Sequence, residues 1–393
     1  MMQLHSRMVA RDPEEEHRAS TPLELFFDLT FVAAVAQAGA GLQQGLVDGN
    51  ARHVLIIYPL VFFAIWWAWM NFSWFASAYD TDDVLYRLAV LVQMMGVLIL
   101  AAGVPRALDH WNFDLMVAGY VVMRMAMVSL WLRAAFSDPP RRTTALRYAG
   151  GITIVQICWV LSLFLPLTGH FVVFAVGGIA ELAVPIFAEA STRTTWHPGH
   201  IAERYGLFTI IVLGEAILAT SIGVRSALAN RASFGELAPD LVGSLFIVFS
   251  MWWMYFDMPA SQIVQRVRSN FDERLNGAFA WGYGHYFVFA SAAATGAGLT
   301  VAIDQATGHS KLTSLEAGFV ETVPVAIYLV AVWALHARYK PKGLWKVLAV
   351  PVSAGLILAS SFLRQPVLAT GIIMAMLVAA SVVAYRGKTF VIA

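Results

Sequence analysis

Several ionisable residues of this chain stand inside long apolar runs, where a charge is costly. Arg124, Glu181 and Glu215 lie near the middle of such runs, and Glu321 lies nearer the start of another. A charged side chain at the centre of a membrane helix costs about 2.5–3.5 kcal/mol on insertion scales. Arginine stays ionised under almost any burial. Arg124 therefore predicts a buried carboxylate partner or a watered cavity.

Depth in the runs favours Glu181 or Glu215 as the partner of Arg124, and Glu321 is also within reach of a long arginine side chain. One interpretation is a structural ion pair that fixes the register of two helices. The other is that a carboxylate binds a proton or cation during transport. The buried acids outnumber the buried base, and a buried carboxyl without a partner takes up a proton. This surplus of acid favours proton coupling, with Glu215, Asp28, Glu181 and Glu24 as candidate coupling groups.

Two pairs of charged residues open apolar runs. Glu24 and Asp28 are one helical turn apart and share a face, and they follow Thr21-Pro22. The position of Glu24 favours an interfacial cap near a helix N-terminus, while Asp28 lies one turn deeper and is harder to explain as a cap. Glu203 and Arg204 read as a capping acid with an interfacial arginine.

Metal and cofactor chemistry finds little support in the sequence. His197, His200 and Glu203 have a spacing that suggests a metal site, but Pro198-Gly199 interrupts the helix there. No phosphate-binding loop, dinucleotide glycine motif or nucleophile elbow occurs. His285 reads as a hydrogen-bonded core residue. We therefore predict neither a metal site nor a cofactor.

The elements that position these residues are membrane helices. Hydrophobic residues make up 59% of the 393 positions and charged residues 13%, far from the composition of a soluble domain. A net charge of +1 gives no basic field for nucleic acid. A spanning helix needs about 20 mostly apolar residues. The sequence predicts an all-α bundle of twelve such helices, at residues 23–46, 54–78, 86–105, 113–136, 147–166, 170–190, 204–224, 239–258, 276–303, 316–337, 344–363 and 366–385.

Basic residues between the runs predict the orientation. Arginine and lysine concentrate in alternate loops, which places both termini in the cytoplasm of a multi-pass cell-membrane protein. The clusters are Arg133/Arg141/Arg142/Arg147, Arg266/Arg268/Arg274 and Arg338/Lys340/Lys342/Lys346. Residues 1–20 are mixed-charge and polar, and they are predicted to form a partly disordered cytoplasmic tail.

A weak internal repeat suggests two halves. Trp69-Met70-Asn71-Phe72 and Trp253-Met254-Tyr255-Phe256 occupy corresponding places in the second and eighth runs. The predicted halves are residues 21–190 and 204–393, joined by 191–203. Because six helices is an even number, the halves would have the same orientation, with their axis along the membrane normal.

Two segments resemble the bacterial low temperature requirement A (LtrA) family. One is Thr21-Pro22-Leu23-Glu24-Leu25-Phe26-Phe27-Asp28-Leu29, and the other runs from His200-Ile201-Ala202-Glu203-Arg204-Tyr205-Gly206 to Leu213-Gly214-Glu215. Glu203, Arg204 and Gly214 belong to the second motif. Thr30 and Tyr205 stand where the family leads us to expect an apolar residue and Phe. The resemblance implies a multi-pass helical fold over nearly the whole chain and leaves the activity open.

The leading hypothesis is secondary transport of a small solute across the lipid bilayer, coupled to protons or cations. A second hypothesis is an intramembrane enzyme acting on a lipid-like substrate, with Glu24, Asp28, Asp257, His197 and His200 at one interface. A third is a structural or signalling membrane protein whose charges only lock the packing. Acids at the membrane midplane favour transport, whereas an interfacial cluster favours catalysis.

Overall fold

The described residues fold into twelve α-helices and one short 3-10 turn, without a strand. The computed structural model describes residues 3–15, 18–230, 232–257, 274–337 and 344–389. The 3-10 turn, Pro139–Arg141, leads into α5. The helices correspond one for one to the predicted runs. They are α1 Pro22–Val47, α2 Ala51–Ala78, α3 Val84–His110, α4 Asp114–Ser137, α5 Arg142–Ser162, α6 Leu167–Glu189, α7 Pro198–Ala229, α8 Phe234–Phe256, α9 Arg274–Ala306, α10 Ser314–Ala337, α11 Leu344–Ser360 and α12 Pro366–Thr389.

Polar side chains mark the starts of several helices. Asp83 caps α3 by accepting a hydrogen bond from the Tyr86 N–H, and Ser233 and Glu236 form a reciprocal capping box at α8. Such caps satisfy backbone N–H groups that have no partner inside the helix. The helix boundaries therefore follow from the residues that interrupt the apolar runs.

Eleven of the described helices contain stretches long and apolar enough to cross a membrane. The exception is α11, whose apolar part, Leu348–Ser360, is shorter. Large apolar side chains such as Leu91, Met95 and Leu98 on α3 are exposed. Such a surface suits lipid rather than water. The chain is a multi-pass membrane protein.

The chain divides into two compact units. Unit 1 contains residues 1–37 and 57–205, and unit 2 contains residues 38–56 and 206–393. In unit 1, α2 contributes the fully buried Trp66, Trp67 and Trp69. In unit 2, α9 is the most buried of the spanning helices. The predicted repeat of two six-helix halves stays a prediction, and the basic loop residues 266, 268, 338, 340 and 342 lie outside the described residues.

The segment before α1 is packed against unit 1, so the prediction of a partly disordered tail is wrong for its described part. The Ser6 N–H donates to Asp83, and the Arg11 N–H donates to the Ala78 carbonyl oxygen at 3.0 Å. Met8 is fully buried. Arg133 also donates to Asp83 and to the Ser6 carbonyl oxygen. These contacts hold the segment over the helix ends near Asp83.

Candidate functional site

Glu24 and Asp28 lie on one face of the first turns of α1. The Thr21 N–H donates to Glu24 at 2.7 Å, and Thr21 Oγ1 accepts from the Glu24 N–H at 3.3 Å, which makes a capping box. Glu24 therefore caps the helix, as one interpretation of the sequence expected. Its side chain is nevertheless buried, with 1% exposed, and Asp28 is completely buried. A cap alone does not require that burial.

The cations that neutralise these acids come from α7. His200 and Arg204 are four residues apart, so they also share a face. Arg204 Nη1 lies 3.2 Å from Glu24 Oε1, and Arg204 Nη2 donates to Asp28. His200 Nε2 lies 3.1 Å from the same Glu24 oxygen. Arg204 is fully buried within the protein, so it is a pairing residue rather than an exposed one, and its interfacial depth stays a prediction.

A second arginine reaches the group from the segment before α1. Arg18 lies 3.5 Å from Glu24 and donates to the Ala76 carbonyl oxygen at 2.7 Å. Its other amino group lies 3.5 Å from Asp80, just past the end of α2. Burial raises the pKa of Asp80, the Glu24 charge raises it further, and Arg18 and Arg11 act in the opposite direction. We refer to Glu24, Asp28, Arg18, His200 and Arg204 as the charged cluster.

Aromatic side chains complete the charged cluster. Trp69 Nε1 donates to Asp28 at 2.6 Å, and the Arg204 guanidinium lies 6.0 Å from the centre of the Phe72 ring. Two carboxylates and two arginines balance, so the cluster is neutral when His200 is neutral. Protonation of His200 would add one positive charge beside Glu24. The arrangement can therefore hold helices together and respond to a proton.

The other residues near α7 have separate contacts. Glu203 accepts from the Ser20 N–H at 3.3 Å, while the His197 ring contacts the Glu15 carbonyl oxygen at 2.8 Å. His197 Nδ1 accepts from the His200 N–H. The described residues contain no group of three histidine, cysteine or acidic side chains placed to hold a metal ion.

Arg124 of α4 is paired with Glu181 of α6. Arg124 Nη2 donates to Glu181 Oε2, and both side chains are almost completely buried. The Trp67 N–H donates to the same oxygen at 2.8 Å. Three further donors, each 3.3 Å from Glu181 Oε1, are the groups Tyr120 Oη, Gln156 Nε2 and Trp159 Nε1. The other two candidate partners, Glu215 and Glu321, belong to unit 2, where Glu321 contacts Thr370.

Unit 2 contains acids of a different kind. Glu215 of α7 is half-buried, next to the exposed Gly214, and no described residue forms an ion pair with it. Glu321 of α10 is fully buried, and its described hydrogen-bond partner is the Thr370 hydroxyl. Asp240 of α8 is half-buried. In the same unit, Tyr255 Oη and His285 Nε2 are 3.0 Å apart in the core.

A comparison with protein families matches residues 19–384 to the bacterial low temperature requirement A protein (LtrA) family. The chain belongs to this family. A relative of 27% identity, uncharacterized protein RA0937 of Rhizobium meliloti (strain 1021), aligns over 72% of this chain and 69% of its own length. The two segments that carry the LtrA resemblance meet in the charged cluster, which takes Glu24 and Asp28 from one and His200 and Arg204 from the other.

Sequence reasoning found only part of this meeting. The enzyme hypothesis placed Glu24, Asp28 and His200 at one interface, but Arg204 was interpreted as an interfacial residue and was paired with neither acid. The available signal was the matching spacing, with two acids four residues apart in one segment and two bases four residues apart in the other. Two such faces can form paired contacts when the helices are neighbours.

Proposed function

We propose that this LtrA protein is a secondary transporter that couples the movement of a small solute to protons or cations. The proposal depends on the environment of Glu321. Its carboxyl group is fully buried within a spanning helix, and no described residue provides a cationic partner for it. Ionisable groups at such positions mark ion pathways and proton relays in membrane proteins.

The contrast with the fully buried acids of unit 1 supports this choice. Arg204 and Arg18 neutralise Glu24 and Asp28, and Arg124 neutralises Glu181. Those acids have little reason to change their charge. Among the described residues Glu321 has no such partner, and Glu215 shares this property at lower burial. A carboxyl group without a counter-charge gains most from binding a proton or cation.

The test is flux in proteoliposomes under an imposed proton or sodium gradient, against a panel of small solutes. Glu321→Gln and Glu215→Gln keep the shape and remove the charge, so one or both should abolish gradient-driven flux in a folded protein. Asp28→Asn should weaken flux less. Glu236→Gln in the exposed capping box of α8 is the matched control and should behave as wild type. Unchanged coupled flux in both Glu321→Gln and Glu215→Gln would refute the proposal.

A second candidate is an intramembrane enzyme acting on a lipid-like substrate. The gathering of Glu24, Asp28 and His200 near the starts of α1 and α7 favours it, whereas Asp257 belongs to the other unit. Its acids are already engaged by arginines, which makes them poor bases. Turnover of membrane lipids by purified protein, lost in His200→Gln, would support the enzyme over the transporter.

We further propose that the protein lies in the cell membrane with both termini in the cytoplasm. The basic loop residues between alternate helices support this orientation. The third candidate, a structural or signalling role, predicts that every flux measurement is negative while the ion pairs still determine stability.

A further inference from the structure

Hydroxyl groups from two other helices lie near the carboxyl group of Glu321. Thr370 of α12 lies 3.4 Å from Glu321 Oε2, and Ser360 at the end of α11 lies 2.9 Å from Thr370. The Ser360 hydroxyl in turn donates to the Ile357 carbonyl oxygen at 2.6 Å. Glu321, Thr370 and Ser360 are all buried. The groups form a chain from the carboxyl to a backbone carbonyl, which we call the hydroxyl chain.

The end of α11 explains why the carbonyl is available. In a continuing helix the Ile357 carbonyl oxygen would accept from the N–H four residues later. Here the Ser361 N–H donates to Leu358 instead, because the last turn tightens. The Ile357 oxygen is thereby free to accept from Ser360.

Counting protons decides between the two forms of Glu321. We assign the only proton of Ser360 to its shorter contact, the 2.6 Å contact with Ile357, and the Ser360–Thr370 contact of 2.9 Å then takes the proton of Thr370. An ionised Glu321 would then receive no donor from the hydroxyl chain. A protonated Glu321 can donate to Thr370, after which every hydroxyl donates once and every proton has an acceptor.

The distances argue against an ionised Glu321. A hydroxyl that donates to an ionised carboxylate lies about 2.5–2.7 Å away. The Thr370 contact of 3.4 Å is much longer, and Glu321 Oε1 is buried without a hydrogen-bond partner. A buried carboxylate with one distant donor and one unpaired oxygen would be strongly destabilised.

The described side chains of the neighbouring helices bring no cation to the group. The Glu321 backbone packs against α9 at Gly298, where an added Cβ would lie 2.9 Å from the Glu321 Cα. The ends of α11 and α12 contribute the hydroxyls already described. The described titratable group whose charge acts on Glu321 is Asp240 of α8, which is an acid and not a cation.

We infer that Glu321 is a proton-binding site. The neutral acid donates to Thr370, Thr370 donates to Ser360, and Ser360 donates to the Ile357 carbonyl oxygen. The inference rests on the proposed function in one respect: it specifies the coupling ion of the proposed transporter as a proton and not a metal cation. Release of the proton leaves a carboxylate that Thr370 can satisfy only by turning away from Ser360. The hydroxyl chain thus has two alternative hydrogen-bond arrangements.

Infrared difference spectroscopy of the purified full-length protein tests the inference, because a neutral carboxyl has a C=O band separate from that of a carboxylate. We expect such a band at neutral pH in wild type and its loss in Glu321→Gln. Thr370→Val keeps the shape and removes the acceptor, so it should shift the band to higher wavenumber, whereas Thr370→Ser should not. Equal spectra for wild type and Glu321→Gln, or an unmoved band in Thr370→Val, would overturn the inference.

Flux measurements separate this inference from the proposed function. Proton-driven flux without the Glu321 band would refute the site and leave transport standing. The Glu321 band in a protein whose flux ignores every ion gradient would support the site and refute coupled transport.

Discussion

The Arg124–Glu181 pair allows a quantitative prediction. In Arg124→Met the side chain keeps much of its apolar volume and loses its charge, so the change leaves Glu181 buried without its cation. Breaking a buried pair by removing one partner costs about 3–5 kcal/mol, since an uncompensated charge remains.

The neutral donors around Glu181 reduce this cost only slightly. The Trp67 contact is short, at 2.8 Å, but the other three donors are each 3.3 Å away. We therefore expect a loss of about 3–4 kcal/mol. At about 2–4 °C per kcal/mol for domains of 150–250 residues, the melting midpoint should fall by roughly 6–16 °C.

The assay is the thermal midpoint of monodisperse protein in detergent, followed by size-exclusion chromatography after heating. The double variant Arg124→Met/Glu181→Gln should recover most of the loss because it removes the orphaned charge. Arg87→Met is the matched control, since Arg87 forms an exposed pair with Asp82 that should contribute at most about 1 kcal/mol. An Arg124→Met midpoint equal to that of wild type, or no recovery in the double variant, would show that the pairing argument is wrong.

Three further predictions concern other features. Single cysteines placed at 139–142 should be labelled from one side of the membrane, and those at 226–236 and 305–312 from the other, in a Cys158→Ser background that removes the exposed native thiol; labelling of all three from one side would contradict the topology. Burial alone would raise the pKa of Asp83, but hydrogen bonds from Arg133, the Tyr86 N–H and the Ser6 N–H outweigh it and hold the pKa below its usual range. The stabilisation of the folded protein by ionised Asp83 is therefore complete above about pH 4 and is lost as pH falls. Asp83→Asn should therefore lower the free energy of unfolding at neutral pH by about 1.5–3 kcal/mol and flatten its decline in acid, and an unchanged acid profile would count against this account. Arg204→Lys keeps the charge but cannot place two nitrogens on Glu24 and Asp28, so it should cost about 1.5–3 kcal/mol in thermal unfolding, and wild-type stability would show that the two contacts are not both needed.

Sequence reasoning predicted the helices well, because apolar runs broken by polar punctuation determine membrane helices almost by length alone. It also predicted that Arg124 needs a carboxylate. It could not choose among Glu181, Glu215 and Glu321, since the sequence gives the depth of a residue in the membrane but not which helices are neighbours.

The pairing of Arg204 with Glu24 and Asp28 was missed for the same reason. Arg204 looked interfacial because it stands near the start of its apolar run, and nothing local indicates that α1 lies beside it. The packed segment before α1 was also missed, because its polar composition is that of a tail. Its order depends on distant partners, such as the Asp83 and Arg133 side chains, rather than on its own residues.

The separation of Asp28 and Arg204 along the chain has a consequence for biosynthesis. The two residues are 176 positions apart. At about 5–20 residues per second, a ribosome needs roughly 9–35 s to make Arg204 after Asp28. During that interval α1 has two acids, and Arg18 is the one arginine of the charged cluster that has already been made. Glu181 follows Arg124 after only 57 positions, so that pair can close several seconds after Arg124 is made. The first helix to be made is therefore among the last to reach its final electrostatic environment, and its acidic end must stay near water or the insertion machinery until α7 arrives.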